Sequence, residues 1–402
     1  MNQILIITEY FYPSLKATSQ LITDLANGLT ERGYQVNIFT ATRPNSVLNE
    51  SLNKIKINCA FSPIKSSNSI WSKIISSIFF TLGAWGYIIF RQPRNSPLLI
   101  VSNPPYAGLL GMCFNLLRGG KYYFLLQDIF PETAIMTGIV QAESILSKFL
   151  SKLAYLQCKY AQNTIVLSTS MQSLLEQKYP DLKQKIKVIE NWAIEDIPLS
   201  KKQSNEFAKK YNIDQIFTVL YSGNIGRIHD IETIVKATIL LKDKPIKFVF
   251  IGDGAKTRVL EKAIYTHQLK NILLLPYQPR ELLPLSLTAC DLSLVSLIAG
   301  AEAIVAPSKL YGMLAAGRAI VAISSPNSYI EQLLKTYGCG VNSPSNNSQH
   351  LANLIVELSS DPLKVKVMGE KARQLYESKY TFKRALDEYE QILFPNTSYQ
   401  KY

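Results

Sequence analysis

GAEAIVAPSKLYGMLAAGRAIVA, Gly300 to Ala322, runs from a loop into a short helix, stops at Gly317 and resumes as an apolar strand. Pro307 and Ser308 are residues that open helices, and the free N–H groups of a first turn point outward. Lys309 adds a full positive charge where the helix dipole is already positive. A chain that passes from loop to helix in this way builds an anion site, with phosphate the obvious guest. The same residues also suit an ordinary turn with a capping serine, so the rest of the chain has to decide.

On both sides of this segment, strands alternate with helices. Strands are expected at Ile4–Thr8, Gln35–Thr40, Leu98–Ser102, Tyr122–Gln127, Thr164–Leu167 and Ile186–Ile189, with a first amphipathic helix near Ser19–Arg32 ended by Gly33. After a polar, Lys-rich stretch the pattern restarts, with strands at Phe217–Ser222, Lys247–Ile251, Ile272–Leu275 and Leu292–Val295. Strand-helix alternation implies parallel sheets covered on both faces. The expectation is an α/β chain of two doubly wound, Rossmann-like domains facing across a cleft, residues 1–196 and 213–385, joined by a linker at 196–213 that serves as hinge. Residues 386–402 are read as a C-terminal helix and tail.

The chain has 402 residues, 47% of them hydrophobic and 18% charged, which excludes a disordered or collagen-like protein. Its formal charge of +13 calls for an anionic partner: a membrane surface, a phosphorylated substrate or nucleic acid. The basic residues are dispersed instead of striped, which argues against nucleic acid. Five cysteines without a CxxC spacing give neither a disulfide framework nor a zinc site, and fit a reducing cytoplasm. The N-terminus enters an apolar strand with no signal-peptide pattern. One stretch, Ile70 to Phe90, is apolar and aromatic but carries Lys73, three serines and two glycines. It reads as a marginal membrane span, an interfacial amphipathic helix or a buried or partly exposed helix of the N-terminal domain, and its flanks Lys65, Arg91 and Arg94 favour anionic headgroups.

Several strand ends carry candidate chemistry. In YSGNIGRIHD, Tyr221 to Asp230, Gly223 and Gly226 permit close approach of a diphosphate, and Arg227 and His229 are expected to bring it positive charge. IGDGA, with Gly252 and Gly254, closes another strand onto a helix. Glu302 lies in the loop before Pro307 and is read either as a donor-sugar contact or as a solvated glutamate. LQDIFPE places Gln127, Asp128 and Glu132 after a strand; Asp128 is a candidate to touch acceptor or donor sugar, or else a capping Asp.

PSKLYGMLAAGRAIVA resembles the donor-site segment of retaining, nucleotide-sugar-dependent glycosyltransferases of family four, whose fold is the two-domain GT-B type. SNPPYAG (Ser102–Gly108) and ENW (Glu190–Trp192) are similar to the subfamily that builds bacterial surface polysaccharides, the L-fucosamine transferase-like, colanic acid and O-antigen type. The resemblance implies that Asn224, Ser308, Leu310 and Tyr311 join the glycines in holding the donor, that the loop of Tyr277 and Gln278 lies against the nucleobase, and that Glu9, Tyr10, Pro13, Thr18 and Ser19 form the acceptor-side turn. It also implies that the last helix crosses back onto the N-terminal domain. The chain departs from the family at several places. Asn224 stands where the family has an Arg, His229 where it has a Lys, and Gln127 where many members have a His. Ile304 and Gly312 occupy the positions of its two glutamates, which puts the usual ribose contact in doubt.

Absent patterns narrow the function further. There is no Asp-x-Asp, no cluster among His229, His267 and His350, no GxxxxGK[ST] and no GxSxG. The expectation is a metal-independent transferase without cofactor, moving a sugar, most simply from UDP, onto a lipid-linked or growing saccharide at the inner membrane face. The alternatives are a nucleotide-sugar epimerase that hydrolyses its donor and a non-catalytic basic binding protein.

Overall fold

The computed structural model describes residues 3–14, 16–43, 54–61, 70–194 and 196–395, with side chains 70–74 outside the description. The chain divides into two units, one of Met1–Ile194, Ile304–Ala306 and Phe382–Tyr402, the other of Glu195–Ala303 and Pro307–Thr381.

The first unit runs β1 (Gln3–Ile7), α1 (Ala17–Glu31), β2 (Gln35–Thr40), β3 (Lys56–Cys59), α2 (Ile70–Arg91), β4 (Leu98–Val101), α3 (Gly108–Arg118), β5 (Tyr122–Leu125), α4 (Glu132–Met136), α5 (Ile145–Tyr160), β6 (Asn163–Val166), α6 (Thr169–Lys178) and β7 (Ile186–Val188). Its seven strands are parallel in the order β3-β2-β1-β4-β5-β6-β7, with Leu5 registered against Asn37 and Leu98. The central strands β4 (LLIV) and β5 (YYFL) are buried at every residue, as a parallel sheet covered on both faces requires.

The second unit begins with α7 (Glu206–Lys210) and continues through β8 (Phe217–Ser222), α8 (Ile231–Leu240), β9 (Ile246–Ile251), α9 (Thr257–His267), β10 (Ile272–Leu275), α10 (Leu283–Leu287), β11 (Leu292–Ser296), α11 (Lys309–Ala315), β12 (Ala319–Ser324), α12 (Tyr329–Tyr337), β13 (Gly340–Pro344), α13 (Ser348–Ser359) and α14 (Pro362–Lys379). Six parallel strands run β10-β9-β8-β11-β12-β13 around a core that includes Phe248, Phe250, Leu294 and Val321. Gly317 ends α11 with φ +61°, a conformation a side chain resists, so the segment that opened the sequence reading stops where expected.

Two expectations change. The stretch read as a linker belongs to the second unit: Lys202, 6% exposed, is ion-paired with Asp291 and donates to the Ile216 carbonyl, and Asn205 caps α7. A lysine-rich run looked solvated because a buried lysine cannot be told from an exposed one without its partner. The last helix, α15 (Phe382–Leu393), joins the first unit from Phe382 and not from residue 386. There Phe382 and Tyr389 pack against Trp192, and Arg32 is ion-paired with Asp387 and Glu390. Of the readings offered for Ile70–Phe90, the partly exposed helix fits: among the described side chains of α2, Phe80, Ala84 and Ile88 are buried while Ile78, Leu82, Trp85 and Phe90 are exposed, and no described helix is long and apolar enough to cross a membrane. Lys65 lies outside the described residues.

Candidate functional site

In the second unit the chemistry gathers where β8 ends. Gly223 (φ +126°) and Gly252 (φ +136°) turn the chain out of β8 and β9. A Cβ on Gly252 would stand 2.1 Å from the Gly223 carbonyl oxygen, and one on Gly254 2.5 Å from that of Ile225, so the two turns pack backbone to backbone. They are tied by the Ile225 N–H to the Asp253 carbonyl at 3.0 Å and the Lys256 N–H to the Ile225 carbonyl at 2.9 Å. Gly252 and Gly254 therefore shape the floor, and Asn224 and Gly226 form its rim with the Asn224 amide against Gly226.

Lys309 reaches this turn. Its Nζ donates to the Tyr221 hydroxyl at 2.6 Å and to the Asn224 carbonyl at 3.4 Å, and lies 3.8 Å from the centre of the Tyr221 ring. The Tyr221 hydroxyl donates in turn to the Asn224 carbonyl at 2.9 Å. Burial pushes the Lys309 ammonium down to about 7. Lys309, from α11, thus brings a cation to the turn where Asn224 stands. Tyr221, which the sequence reading gave no role, is the missed member; its only signal was a phenol at the apolar strand's end.

Other expectations in this unit are corrected. Helix α11 has only seven residues, and Ser308 is itself in helical conformation and caps nothing, so the charge here is the Lys309 ammonium and not a capped helix start. His229 does not supply positive charge. It is 5% exposed, its Nδ1 lies 2.9 Å from the Ser296 carbonyl, and burial together with nearby Lys309 holds it down to about 3. With the carbonyl fixing the proton on Nδ1, the ring is neutral. Leu310 and Tyr311 are core residues, Tyr311 meeting Tyr380 edge-on at 5.3 Å. Arg227 is exposed at the turn.

Glu302 is not a solvated loop residue. It is 6% exposed, one oxygen accepts the Ser325 N–H at 3.2 Å, and Oε2 has no partner among the described residues. A Cβ on Gly312 would lie 3.2 Å from Leu287 Cδ1, so a side chain there requires that leucine to shift by a few tenths of an ångström. Tyr277 leans its hydroxyl toward the Asp253 carbonyl at 3.4 Å, and Gln278 folds back on the Pro276 carbonyl at 2.8 Å.

In the first unit Asp128 pairs through its backbone with Val305, and the Ile129 N–H donates to the Ile304 carbonyl at 2.9 Å. Ile304, at the position of the other family glutamate, is buried. Asp128 caps no helix, since α4 starts after Pro131; desolvation pushes its carboxyl up to about 6 although the residue keeps access to solvent. Gln127 donates its backbone N–H to Ser102 Oγ at 3.0 Å. Glu132 is ion-paired with Lys178, which ties α4 to α6. At the end of β1, burial raises the pKa of Glu9, and Lys16 lies 3.2 Å over the Tyr10 ring. Pro13 and Thr18 are half-buried, and Ser19 is fully buried on α1. Among the described residues, no three His, Cys, Asp or Glu side chains group as a metal site.

Residues 203–375 match the family described as Glycosyl transferases group 1. Over its full length the chain is 28% identical to a probable glycosyltransferase, WbjE of Pseudomonas aeruginosa, covering 100% of both. It is 35% identical over 119 residues, 30% of this chain and 29% of the other, to WcaI of Escherichia coli strain K12, whose name assigns it to colanic acid biosynthesis as a glycosyl transferase. The fold is shared with Anabaena Alr3699/HepE in complex with UDP-glucose at TM-score 0.73 and 14% identity, over 97% of this chain and 99% of that one.

Proposed function

We propose that this enzyme, a glycosyltransferase by the group 1 domain it carries, moves a sugar from a UDP-linked donor onto a saccharide, lipid-linked or growing, in the building of a cell-surface polysaccharide. The reading includes retention of anomeric configuration, no resident metal, and work at the inner face of the cytoplasmic membrane. The observation that carries it is the Lys309 ammonium over the Gly223–Asn224 turn. A leaving diphosphate needs charge that is worth more in the transition state than in the ground state, and a desolvated cation held by Tyr221 is suited to give it. Arg227, exposed on the same turn, adds a second charge; within the second unit Glu302 is the candidate carboxylate for the donor sugar, and within the first unit Asp128 is the candidate for a sugar hydroxyl. HepE bound to UDP-glucose, and the name of WcaI, support the donor and the pathway class.

Titration with UDP and GDP in EDTA tests the site. Micromolar UDP binding is expected, lost in Lys309→Ala. Lys309→Ala and Arg227→Ala should each lower turnover by roughly 10²-fold, the scale of losing one charge-stabilising donor. Near-normal transfer in both variants would overturn the assignment.

A further inference from the structure

Three lysines of this chain that are withdrawn from solvent meet a carboxylate: Lys178 pairs with Glu132, Lys202 with Asp291 and Lys256 with Glu232. Lys309 is built differently. It is half-buried, and among the described residues no carboxylate pairs with it; its Nζ meets the Tyr221 hydroxyl, the Tyr221 ring and the Asn224 carbonyl, all of them uncharged. His229 nearby is neutral, and the Lys256 ammonium, which donates to the His229 carbonyl at 2.7 Å, opposes a second positive charge. An amine in such surroundings gives up its proton readily, and burial holds Lys309 down to about 7. Near neutral pH about half of it is then free amine, against roughly one part in 10³ or less for an ordinary lysine.

The amine is also reachable. Its contact with the Asn224 carbonyl lies at the surface. Beyond the turn's own backbone, a Cβ built on Gly223 would find only Lys309 Cε at 3.5 Å and Nζ at 3.8 Å within 4 Å, so the space beside the amine is open. Arg227 stands exposed on the same turn. A small molecule with a phosphate is drawn to these charges, and a phosphate that carries an activated acyl group arrives beside a nucleophile.

We infer that Lys309 is a site of acylation by small acyl phosphates, and that acylation closes the donor site. The neutral Nζ attacks the acyl carbon and a C–N bond forms. The C–O bond to phosphate breaks, its electron pair leaves with inorganic phosphate, and the extra proton on nitrogen passes to that phosphate or to water. The product amide keeps one N–H for the Tyr221 hydroxyl but has no charge, so a diphosphate loses its partner. The draw of a phosphate to this turn rests on the donor-site reading; the nucleophilicity of the amine does not.

The test is mass spectrometry of the protein after incubation at pH 7 with acetyl phosphate and, in parallel, with N-hydroxysuccinimidyl acetate, which has no phosphate. UDP is then titrated into each product. Lys309 should acetylate at least roughly tenfold faster than the exposed, carboxylate-paired Lys183 and Lys366, and its preference should be greater with acetyl phosphate than with the ester. Saturating UDP should slow the reaction by about tenfold, by filling the turn and keeping the ammonium protonated. UDP-binding sites should disappear in step with the acetylated fraction. Lys309→Gln, which carries an uncharged amide from the start, should also fail to bind UDP, while a cooperative urea melt shows that it is folded. Acetylation of Lys309 no faster than that of Lys183 and Lys366, in a protein that binds UDP and loses it in Lys309→Gln, overturns the inference and leaves the donor-site reading standing. Equal preference for Lys309 with both reagents overturns the assignment to acyl phosphates. Fast acetylation that leaves UDP affinity intact overturns the donor-site reading, and the closing of the site with it.

Discussion

At the residue scale the site turns on two nitrogens with opposite tasks, one on the half-buried Lys309 and one on the buried His229. Lys309 sits at about 7, so at neutral pH only part of the population carries the charge that a diphosphate needs. An incoming diphosphate restores the charged form, and UDP binding at pH 7 should therefore take up about half a proton. Calorimetry in buffers of different ionisation enthalpy reads that uptake directly, and it should vanish in Lys309→Met. Affinity should also weaken by about tenfold per pH unit above 7. His229 has the other sign. Its folded value of about 3 lies below the ordinary imidazole, so the unfolded chain binds the extra proton first and stability falls with acid from about 6.5 downward. By pH 5 that costs up to about 2 kcal/mol, and His229→Asn, which keeps an N–H for the Ser296 carbonyl, should flatten this part of a stability–pH curve. Sequence spacing located both residues but could not assign the charge. Nothing in YSGNIGRIHD tells that His229 points at a carbonyl inside the fold, or that a lysine from α11 replaces it at the turn.

At the scale of elements, legibility followed burial. The strands found from sequence include apolar runs such as β1 (QILII) and β4 (LLIV) and the largely apolar β2 (QVNIFT) and β8 (FTVLYS). The two left unread, β3 (KINC) and β13 (GVNSP), are edge strands, one with exposed ends and the other closed by a proline. The other two edge strands, β7 (IKV) and β10 (ILLL), were legible because they keep apolar residues that KINC and GVNSP lack. The segment 197–212 failed for a different reason, since what fixes it is a long-range ion pair. Lys202 is buried against Asp291, whose carboxylate also accepts the Thr218 N–H at 2.8 Å and so holds the start of β8. Removing the lysine leaves a carboxylate with no charge partner, and Lys202→Ala should destabilise the protein by about 3 kcal/mol. A urea melt checks this, with UDP affinity unchanged below the transition; a loss under about 1 kcal/mol would mean that the segment is held by packing alone.

Across the whole molecule the charge is distributed unevenly in a way that the total of +13 conceals. Residues 51–127 contain no Asp or Glu and eight Lys or Arg, and α5 adds Lys148, Lys152 and Lys159 without an acid. The same region holds most of the large exposed apolar side chains: Ile78, Leu82, Trp85 and Phe90 on α2, Leu116 and Leu117 on α3, Ile145 and Phe149 on α5. These helices are neighbours, α2 packing on α3 and α3 on α5, with Arg118 donating to the Ile89 carbonyl at 2.6 Å across the first pair. We propose that these exposed apolar side chains, on helices rich in Lys and Arg, meet an anionic bilayer surface, where each Lys or Arg is worth about 1 kcal/mol. The protein should therefore float with vesicles containing phosphatidylglycerol and not with pure phosphatidylcholine. Raising salt from 0.1 to 0.5 M should weaken the binding without abolishing it, because the apolar share is not screened. Leu82→Glu with Phe90→Glu should release the protein by tenfold or more and leave UDP affinity intact. If instead the wild type self-associates in the absence of lipid and those two changes make it monomeric, the face is a contact between copies, and the membrane reading fails.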